Sequence, residues 1–245
     1  MTDRGGKIRL FVAAGLEPGA GVALTPEQAH YLFGVMRQGV GGRIAVFNGR
    51  DGEWAAGIAE AGRRGGRLVV RERMRPQQAA PDLWLIFAPL KKARTDFVVE
   101  KATELGVARL RPVFTRHTNA ERLRGERLRA LAIEAAEQCG ATAVPEVAEP
   151  ERLGAVLDGW DERRRILFCD ESGAAPPARE ALQGAGAGAW AVLVGPEGGF
   201  APEEAARLRG MAAVLPVSLG PRILRADTAV VAALTLWQAL LGDWR

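Results

Sequence analysis

The chain has 245 residues, 48% of them hydrophobic and 25% charged, proportions that exclude a disordered chain and indicate a globular protein of one or two domains. Its two cysteines, Cys139 and Cys169, are too few for a disulfide framework and predict buried free thiols, and with only two histidines no metal site is expected. The longest apolar run, 228–241, is too short to cross a bilayer, and the first residues lack a signal-type apolar core, so we expect a cytoplasmic protein without a membrane partner.

The net charge of +4 is concentrated at the start of the chain. Residues 1–75 contain twelve Lys or Arg and seven Asp or Glu residues, so the rest of the chain is close to neutral. A basic segment of this kind indicates contact with a polyanion, usually a nucleic acid. A solvated arginine-rich surface would explain the charge equally well.

The first 75 residues show the pattern of a small β structure with one short helix. Thr25 and Pro26 are a typical N-cap and first helical residue, and they predict a helix over TPEQAHYLFGVMR. Three runs follow between 43 and 73, RIAVF, EWAAGIAEA and GRLVVRER, separated by glycine-containing turns. This spacing predicts a small β-barrel or sheet.

The pattern changes after residue 75. Segment 76–82, PQQAAPD, is polar, contains two prolines and is the predicted domain boundary. Strand candidates then alternate with helix candidates, and the alternation predicts an α/β domain with a mostly parallel sheet of about five strands. The strand candidates lie within 83–90, 107–114, 165–170, 189–195 and 212–220, and the helix candidates are 96–105, 121–139 and two that begin at Pro202 and Asp227.

Two glycine-rich loops follow the last two strand candidates. They are GPEGGF, 195–200, and LGPRILR, 219–225. Ligands of parallel sheets bind beyond the carboxyl ends of the strands, and glycines let the backbone approach a ligand closely. Neither loop matches a phosphate-binding motif, and Glu197 would repel a pyrophosphate but tolerate a cation. By themselves, both loops could also be ordinary Gly-Pro turns.

The two loops, GPEGGF and SLGPRILRADTA in this order, resemble the RsmE family of ribosomal RNA methyltransferases. The similarity extends over nearly the whole chain, through HYLFGVMRQGVGGRIAVFNGRDGEW, APLKKARTDFVVEKATELGVARLRPVFTRHT and IEAAEQCGATAVPEV. It implies S-adenosylmethionine-dependent methylation of uridine N3 in small-subunit (16S) ribosomal RNA. The implied fold is a PUA-like RNA-binding β-barrel, 1–75, followed by a SPOUT methyltransferase domain, 76–245, whose parallel sheet ends in a C-terminal trefoil knot. The implied partners are the ribosomal RNA or the assembled 30S subunit and a second copy of the chain in a homodimer.

The resemblance also implies roles for particular residues. Arg225 is the predicted catalytic residue, because a guanidinium can stabilise the charge that develops on a uracil oxygen. Its alternatives are pairing with Asp227 or phosphate binding, while Asp227 is the predicted cap of the last helix. Glu197 could instead support the helix that begins at Pro202, and the role of Arg222 in the fold or in RNA binding stays open. The predicted cofactor-binding residues are Leu193, Gly195, Glu197, Gly198, Gly199, Ser218, Leu219, Gly220, Ile223 and Leu224.

The predicted RNA contacts are basic residues from both domains. They are Lys7, Arg9, Arg37, Lys91, Lys92, Arg94 and Arg116, although a solvated basic turn would also explain Lys91, Lys92 and Arg94. His117 is a weaker candidate for a general base. Ala141, Thr142 and Ala143 stand where many members of the family have basic residues, so one RNA contact is expected to be missing. The alternative functions are a noncatalytic RNA-binding assembly factor and a methyltransferase that acts on a different RNA, such as tRNA.

Overall fold

The computed structural model describes residues 8–119 and 123–244. The predicted RNA contact Lys7 lies outside these described residues. The chain forms two compact units, one made of Met1–Ala79 with Ala136–Val144 and the other of Ala80–Ala135 with Pro145–Arg245. Nothing in the sequence pattern predicted that Ala136–Val144 belongs to the first unit. The predicted domain limits, 1–75 and 76–245, stay a prediction.

The first unit is built on a five-stranded sheet with the order β1-β3-β4-β5-β2. Its first pair of neighbours, β1 and β3, is parallel and the other three pairs are antiparallel. Leu10, Ile44, Val46 and Leu68 belong to its apolar core. The three predicted strands are confirmed as β3, β4 and β5. The strands are β1 Arg9–Phe11, β2 Gly21–Ala23, β3 Arg43–Phe47, β4 Glu53–Gly62 and β5 Gly65–Arg75.

A short helix precedes β3, as predicted. It begins as α1, Pro26–Ala29, and continues into a wider π-helical turn, His30–Val35. Thr25 and Gln28 form a reciprocal capping box at its start, which satisfies backbone N–H groups that have no partner inside a helix. Leu32 anchors the turn in the core of the first unit, with no exposed surface.

One predicted RNA contact, Arg9, belongs to a buried ion-pair network. Arg9 pairs with Glu53 at 2.6 Å and also donates to the carbonyl oxygens of Ala136, Glu137 and Ala141. Arg75 donates to the same Glu53 carboxylate and to Gly140 O at 2.8 Å. The Arg9 side chain is 14% exposed. The donors of Arg9 therefore hold the first unit together, and the expected contact of Arg9 with RNA stays a prediction.

The Glu53 carboxylate is the centre of this network. Burial raises its pKa, but the hydrogen bonds from Arg75 and Arg9 outweigh burial, and its pKa lies below the ordinary value. Thr142 lies in the stretch without the basic residues common in the family. It is buried, and its hydroxyl oxygen accepts a hydrogen bond from the backbone N–H of Gln78 at 3.0 Å. This stretch therefore has a packing role in the first unit.

The second unit contains a seven-stranded sheet in which every described pairing is parallel. Six strands follow the order β12-β10-β11-β6-β7-β8, and β9 pairs with β7. The parallel α/β prediction is confirmed, but the expected number of strands was too low because β8 and β9 have two residues each and show no pattern. The strands are β6 Leu83–Phe87, β7 Arg109–Phe114, β8 Glu146–Val147, β9 Glu151–Arg152, β10 Arg165–Cys169, β11 Trp190–Val194 and β12 Val214–Val217.

Six further helices lie in the described residues. They are α2 Lys92–Glu104, α3 Gly125–Cys139, α4 Leu153–Asp158, α5 Ala178–Gln183, α6 Pro202–Gly210 and α7 Ala226–Leu240. The predicted start at Pro202 is confirmed, and α2 begins earlier than expected because Thr95 bonds back to Leu90 N and O and fixes the first turn. Cys139, at the end of α3, is exposed, so the prediction of a buried thiol is wrong there.

Helix α7 is the apolar helix at the end of the chain. It packs against α2, α5 and β11, with Ala233, Leu234 and Trp237 buried. Gln238 is also buried and donates to Leu105 O, next to Gly106, whose φ of +74° suits glycine. Arg225 is the N-cap of α7, so the prediction that Asp227 caps it is wrong: Asp227 lies inside the first turn. None of the described helices has the length and apolar content that crossing a membrane requires.

Candidate active site

Three loops at one edge of the parallel sheet enclose a cavity of about 690 Å³. They follow β10, β11 and β12, which are neighbours in the sheet, so their carboxyl ends lie side by side. This is the position at which parallel sheets bind ligands. Nine of the residues with a predicted site role line the cavity: Gly195, Glu197, Gly199, Ser218, Leu219, Gly220, Ile223, Leu224 and Arg225.

The structure does not bring Leu193 and Gly198 to this cavity. Leu193 lies within β11, and its side chain is fully buried in the apolar core with Phe168 and Ile86. Gly198 faces the loop after β7, where its carbonyl oxygen lies 3.1 Å from His117 Nδ1. His117 therefore contacts the back of the GPEGGF loop.

The loop after β10 is the part of the cavity that the sequence pattern missed. It contributes Asp170, Glu171, Gly173, Ala175 and Pro177 to the lining, next to Cys169 at the end of β10. The segment RILFCD predicts strand β10. The residues after it lack the Gly-Pro sequence that indicated the other two loops. The strand order shows that this loop belongs to the site, because β10 lies between β11 and β12 in the sheet.

Two glycines shape the GPEGGF loop. Gly199 has a φ of +69°, and a Cβ on it would overlap Glu171 Oε1. A Cβ on Gly195 would lie 2.6 Å from the Phe200 ring, which packs edge-on against Phe168 at 5.2 Å between ring centroids. Both positions therefore require glycine, which supports the interpretation that this loop is a built site and not an ordinary turn.

An arginine bridge connects the GPEGGF loop to α7. Arg94, from the first turn of α2, lies 3.0 Å from Glu197 Oε1 and 3.9 Å from Asp227 Oδ2. The predicted RNA contact Arg94 is thus engaged with two carboxylates at the site. The alternative pairing of Arg225 with Asp227 is not what the structure shows, since Arg94 takes that place.

The loop after β12 presents two exposed arginines. Arg222 and Arg225 both line the cavity, and neither forms an ion pair or a side-chain hydrogen bond with any other residue in the described part of the chain. Arg225 has the extended backbone of a helix N-cap, with φ −65° and ψ 151°. Ile223, between them, is 88% exposed. This loop therefore offers two cations and an apolar side chain to a ligand.

Burial and pairing set the charge of the loop after β10. Arg209 donates two hydrogen bonds to Asp170, at 2.7 and 2.9 Å, and this contact lowers the pKa of the carboxyl group. Burial raises the pKa of the neighbouring Cys169 thiol to about 12. The cavity wall at Cys169 is accordingly neutral at physiological pH.

Comparison with known proteins identifies the family. Residues 77–238 match the model of an RNA methyltransferase domain, and residues 24–70 match that of an RNA methyltransferase PUA domain. Over 238 residues the chain is 32% identical to the ribosomal RNA small subunit methyltransferase E of Synechocystis, covering 95% of this chain and 78% of that protein. The chain belongs to this family. The resemblance that the loop motifs indicated is confirmed.

A further relative and two solved structures match this chain over most of their length. The Rickettsia conorii protein is 27% identical over 92% of this chain and 93% of its own. A Neisseria gonorrhoeae methyltransferase E, solved bound to S-adenosyl methionine, superimposes with a TM-score of 0.87 at 26% identity, over 97% of this chain and 99% of that one. A Legionella pneumophila methyltransferase with bound SAM gives 0.87 at 29% identity, over 96% and 98%.

The family models also label the two units. The PUA match falls within the first unit, over α1, the π-helical turn, strands β3 and β4 and the first part of β5, so a PUA-like domain precedes an α/β methyltransferase domain. The methyltransferase match begins just before β6 and ends within α7, and so includes every loop of the cavity. The cavity described above therefore belongs to the methyltransferase domain of this family.

The remaining basic candidates are exposed. Lys91 and Lys92 lie at the start of α2, directly after β6, and Arg116 lies in the loop after β7. Their backbone positions are at the same edge of the sheet as the cavity, because β6 is the parallel neighbour of β11 and β7 is the parallel neighbour of β6. Arg37, in the first unit, has an unusual φ of +52°. All four side chains are accessible to a nucleic acid.

Proposed function

We propose that this protein transfers a methyl group from S-adenosylmethionine to N3 of a uridine in small-subunit (16S) ribosomal RNA. The observation that supports this proposal most strongly is the cavity formed by the loops after β10, β11 and β12, in a chain that belongs to the methyltransferase E family. The relatives carry the name ribosomal RNA small subunit methyltransferase E, and one of them was solved with S-adenosyl methionine.

The residues of the cavity fit a cofactor of this kind. The volume of about 690 Å³ lies within the range of small-molecule sites. Gly195 and Gly199 leave backbone accessible, Leu219 and Leu224 supply apolar wall, and carboxylates suit a positively charged sulfonium group. We propose that the cavity-lining residues of the loops hold the adenosine and methionine parts.

The methyl transfer needs help at the uridine. S-adenosylmethionine, when bound, supplies a methyl group whose bond to sulfur breaks as the bond to N3 forms, with the electron pair remaining on sulfur. The uridine must lose the proton of N3 to a base or to water, and negative charge then spreads to the two uracil oxygens. A fixed donor beside one of these oxygens lowers the barrier, because it stabilises charge where it develops.

Arg225 is the proposed donor. Its backbone is fixed at the N-cap of α7, a helix whose apolar face is buried, so the side chain begins from a rigid element. Its guanidinium has no carboxylate partner in the described part of the chain, so its donors are available to a substrate. A planar cation can donate to a uracil oxygen and remains charged at any physiological pH. Arg94, by contrast, would position the loops by holding Glu197 and Asp227 together.

The finer features of the family are part of the proposal. We propose that the domain limits are 1–75 and 76–245, that the second domain has the SPOUT trefoil knot, and that the protein acts as a homodimer. We also propose that Arg37, Lys91, Lys92 and Arg116 contact phosphates of the ribosomal RNA, either free or in the 30S subunit. Exposed basic side chains at the edge that carries the cavity support this assignment.

The decisive test measures modified nucleosides. Small-subunit ribosomal RNA from cells with and without the gene is digested and analysed by mass spectrometry, with the wild-type gene and an Arg225→Ala variant reintroduced. We expect loss of 3-methyluridine without the gene and its return with the wild type. Unchanged 3-methyluridine would overturn the proposal. Loss of a methylated nucleoside from tRNA would identify a different RNA as the substrate, and a protein that fails to bind S-adenosylmethionine would favour a noncatalytic assembly factor.

A further inference from the structure

Three carboxylates line the cavity, and two of them are neutralised by arginines of the same unit. Asp170 receives two hydrogen bonds from Arg209, and Glu197 pairs with Arg94 at 3.0 Å. The third, Glu171, forms no ion pair or hydrogen bond with any described residue. It is therefore the one cavity-lining carboxylate whose charge is uncompensated within the described part of the chain.

The position of Glu171 depends on the loop that faces it. Its Oε1 atom occupies the space that a Cβ on Gly199 would need. Gly199 also adopts a φ of +69°, which disfavours other residues. The absence of a side chain at 199 thus allows the carboxylate to lie against the backbone of the GPEGGF loop. Two of the three cavity loops meet at this point.

The uncompensated charges of the cavity are divided between loops. The negative one comes from the loop after β10, and the positive ones, Arg222 and Arg225, come from the loop after β12. A ligand with a positive centre would match the negative charge, and a polyanion bound beside it would match the positive charges. Charge interactions in a partly enclosed cavity are stronger than in bulk water, because the local dielectric constant is lower.

We propose that Glu171 recognises the positive charge of S-adenosylmethionine and makes the cavity bind it in preference to S-adenosylhomocysteine. The proposal rests on the function proposed above. The two molecules share the adenosine and the amino acid, but the sulfonium loses its charge when the methyl group leaves. Attraction to Glu171 therefore acts on the cofactor before transfer and not on the product after it. The same difference would speed exchange of product for fresh cofactor.

The test is a calorimetric titration of the full-length protein with each of the two ligands. Wild type is compared with Glu171→Gln, which keeps the shape of the side chain and removes the charge. Glu203→Gln is the matched control, because Glu203 is exposed in α6 and does not line the cavity. We expect Glu171→Gln to raise the Kd of S-adenosylmethionine about tenfold, as for a charge interaction of about 1.4 kcal/mol. The Kd of S-adenosylhomocysteine should change less than about twofold, and the control should leave both values unchanged.

The outcomes separate this inference from the proposed function. Retained S-adenosylhomocysteine binding by Glu171→Gln shows that the cavity is still folded, so selective loss of S-adenosylmethionine supports the inference. Equal weakening of both ligands, or no weakening, overturns it while leaving the proposed function intact, since the wild type still binds the cofactor. A wild-type protein that binds neither ligand overturns the proposed function together with the inference. A similar loss in Glu203→Gln also overturns it, because general charge would then explain the effect.

Discussion

The arginines of the two units show two different uses of the same side chain. In the first unit, Arg9 and Arg75 converge on Glu53, and Arg9 is 14% exposed. At the cavity, Arg222 and Arg225 have no carboxylate partner among the described residues and are exposed. The difference teaches that a basic residue in an RNA-binding protein becomes a candidate contact only when its donors are free. Sequence position alone cannot distinguish the two uses.

The largest expected effect is on the stability of the first unit. Glu53→Gln removes the charge that faces two arginines, and loss of one member of a buried pair costs about 3 kcal/mol. We expect faster hydrogen–deuterium exchange of the β3, β4 and β5 amides, measured by mass spectrometry on the intact protein. The matched control is Glu72→Gln. The side chain of Glu72 is 73% exposed and that of its partner Arg43 is 64% exposed, so loss of this pair should cost less than about 0.5 kcal/mol. Equal exchange in both variants would refute the structural role of the network.

The next prediction concerns Arg225, one of the two exposed arginines at the cavity. Arg225→Ala should lower kcat about hundredfold, the usual loss when a donor to a developing oxyanion is removed. The Kd of S-adenosylmethionine should stay within about twofold of wild type, because the cofactor does not need this donor. Methyl transfer to small-subunit ribosomal RNA and a binding titration measure the two quantities.

Arg152→Ala, which removes an exposed arginine that does not line the cavity, is the control for loss of positive charge. Normal turnover in Arg225→Ala would show that a free arginine at the cavity is not sufficient evidence of catalysis.

A smaller effect is expected from the glycine that separates two cavity loops. Gly199→Ala places a Cβ where the Glu171 carboxylate lies and in a left-handed backbone conformation, so the carboxylate must move away and the backbone is strained. We expect S-adenosylmethionine to bind about tenfold more weakly. Gly186→Ala is a close control, because Gly186 has a φ of +73°, a Cβ added to it would meet no atom within 4 Å, and it does not line the cavity. It should lower the melting temperature through backbone strain of about 1–2 kcal/mol without changing affinity. Weakened binding in both variants would attribute the effect to strain alone.

Local patterns predicted the fold well where the elements are long. Short runs of small and β-branched residues between glycine-containing turns predicted β3, β4 and β5, and the apolar runs predicted β6, β10 and β11 in a parallel sheet. The patterns failed for β8 and β9, which have two residues each, and for Ala136–Val144, which belongs to the first unit through contacts distant in sequence. Hydrogen bonds between Arg9 and three carbonyl groups more than 120 residues away leave no periodic signal.

The candidate site could be predicted only in part. Glycine and proline identified the loops after β11 and β12, because glycines beyond the carboxyl ends of parallel strands let the backbone approach a ligand closely. The loop after β10 has the sequence of an ordinary surface turn, and Glu171 becomes notable only once Gly199 faces it. The partners of Arg94 lie 103 and 133 positions further along the chain, and no local rule distinguishes it from Lys92. Side-chain pairing across the sheet edge is a tertiary property.

The smallest expected effect concerns Asp170, the buried carboxylate of the second unit, at acid pH. The Arg209 guanidinium holds the pKa of Asp170 below its ordinary value of 3.8. A carboxyl group whose pKa is lowered by folding stabilises the protein above its ordinary pKa, and this contribution disappears as the pH falls through the folded pKa. Urea unfolding should therefore show Asp170→Asn to be less stable than wild type at pH 7 by about 1 kcal/mol, because Asp170 is buried but its partner Arg209 is 42% exposed and solvent screens the pair. The difference between the two proteins should shrink steadily below about pH 4 and vanish when Asp170 is protonated in both states. Asp161→Asn, which removes a solvent-exposed pair with Arg163, should show a much smaller pH-dependent difference, because solvent screens an exposed pair. A gap for Asp170→Asn that persisted at low pH would mean that packing, and not the charge on Asp170, holds the loop after β10 in place, and the comparison between paired and free charges would then fail in the second unit.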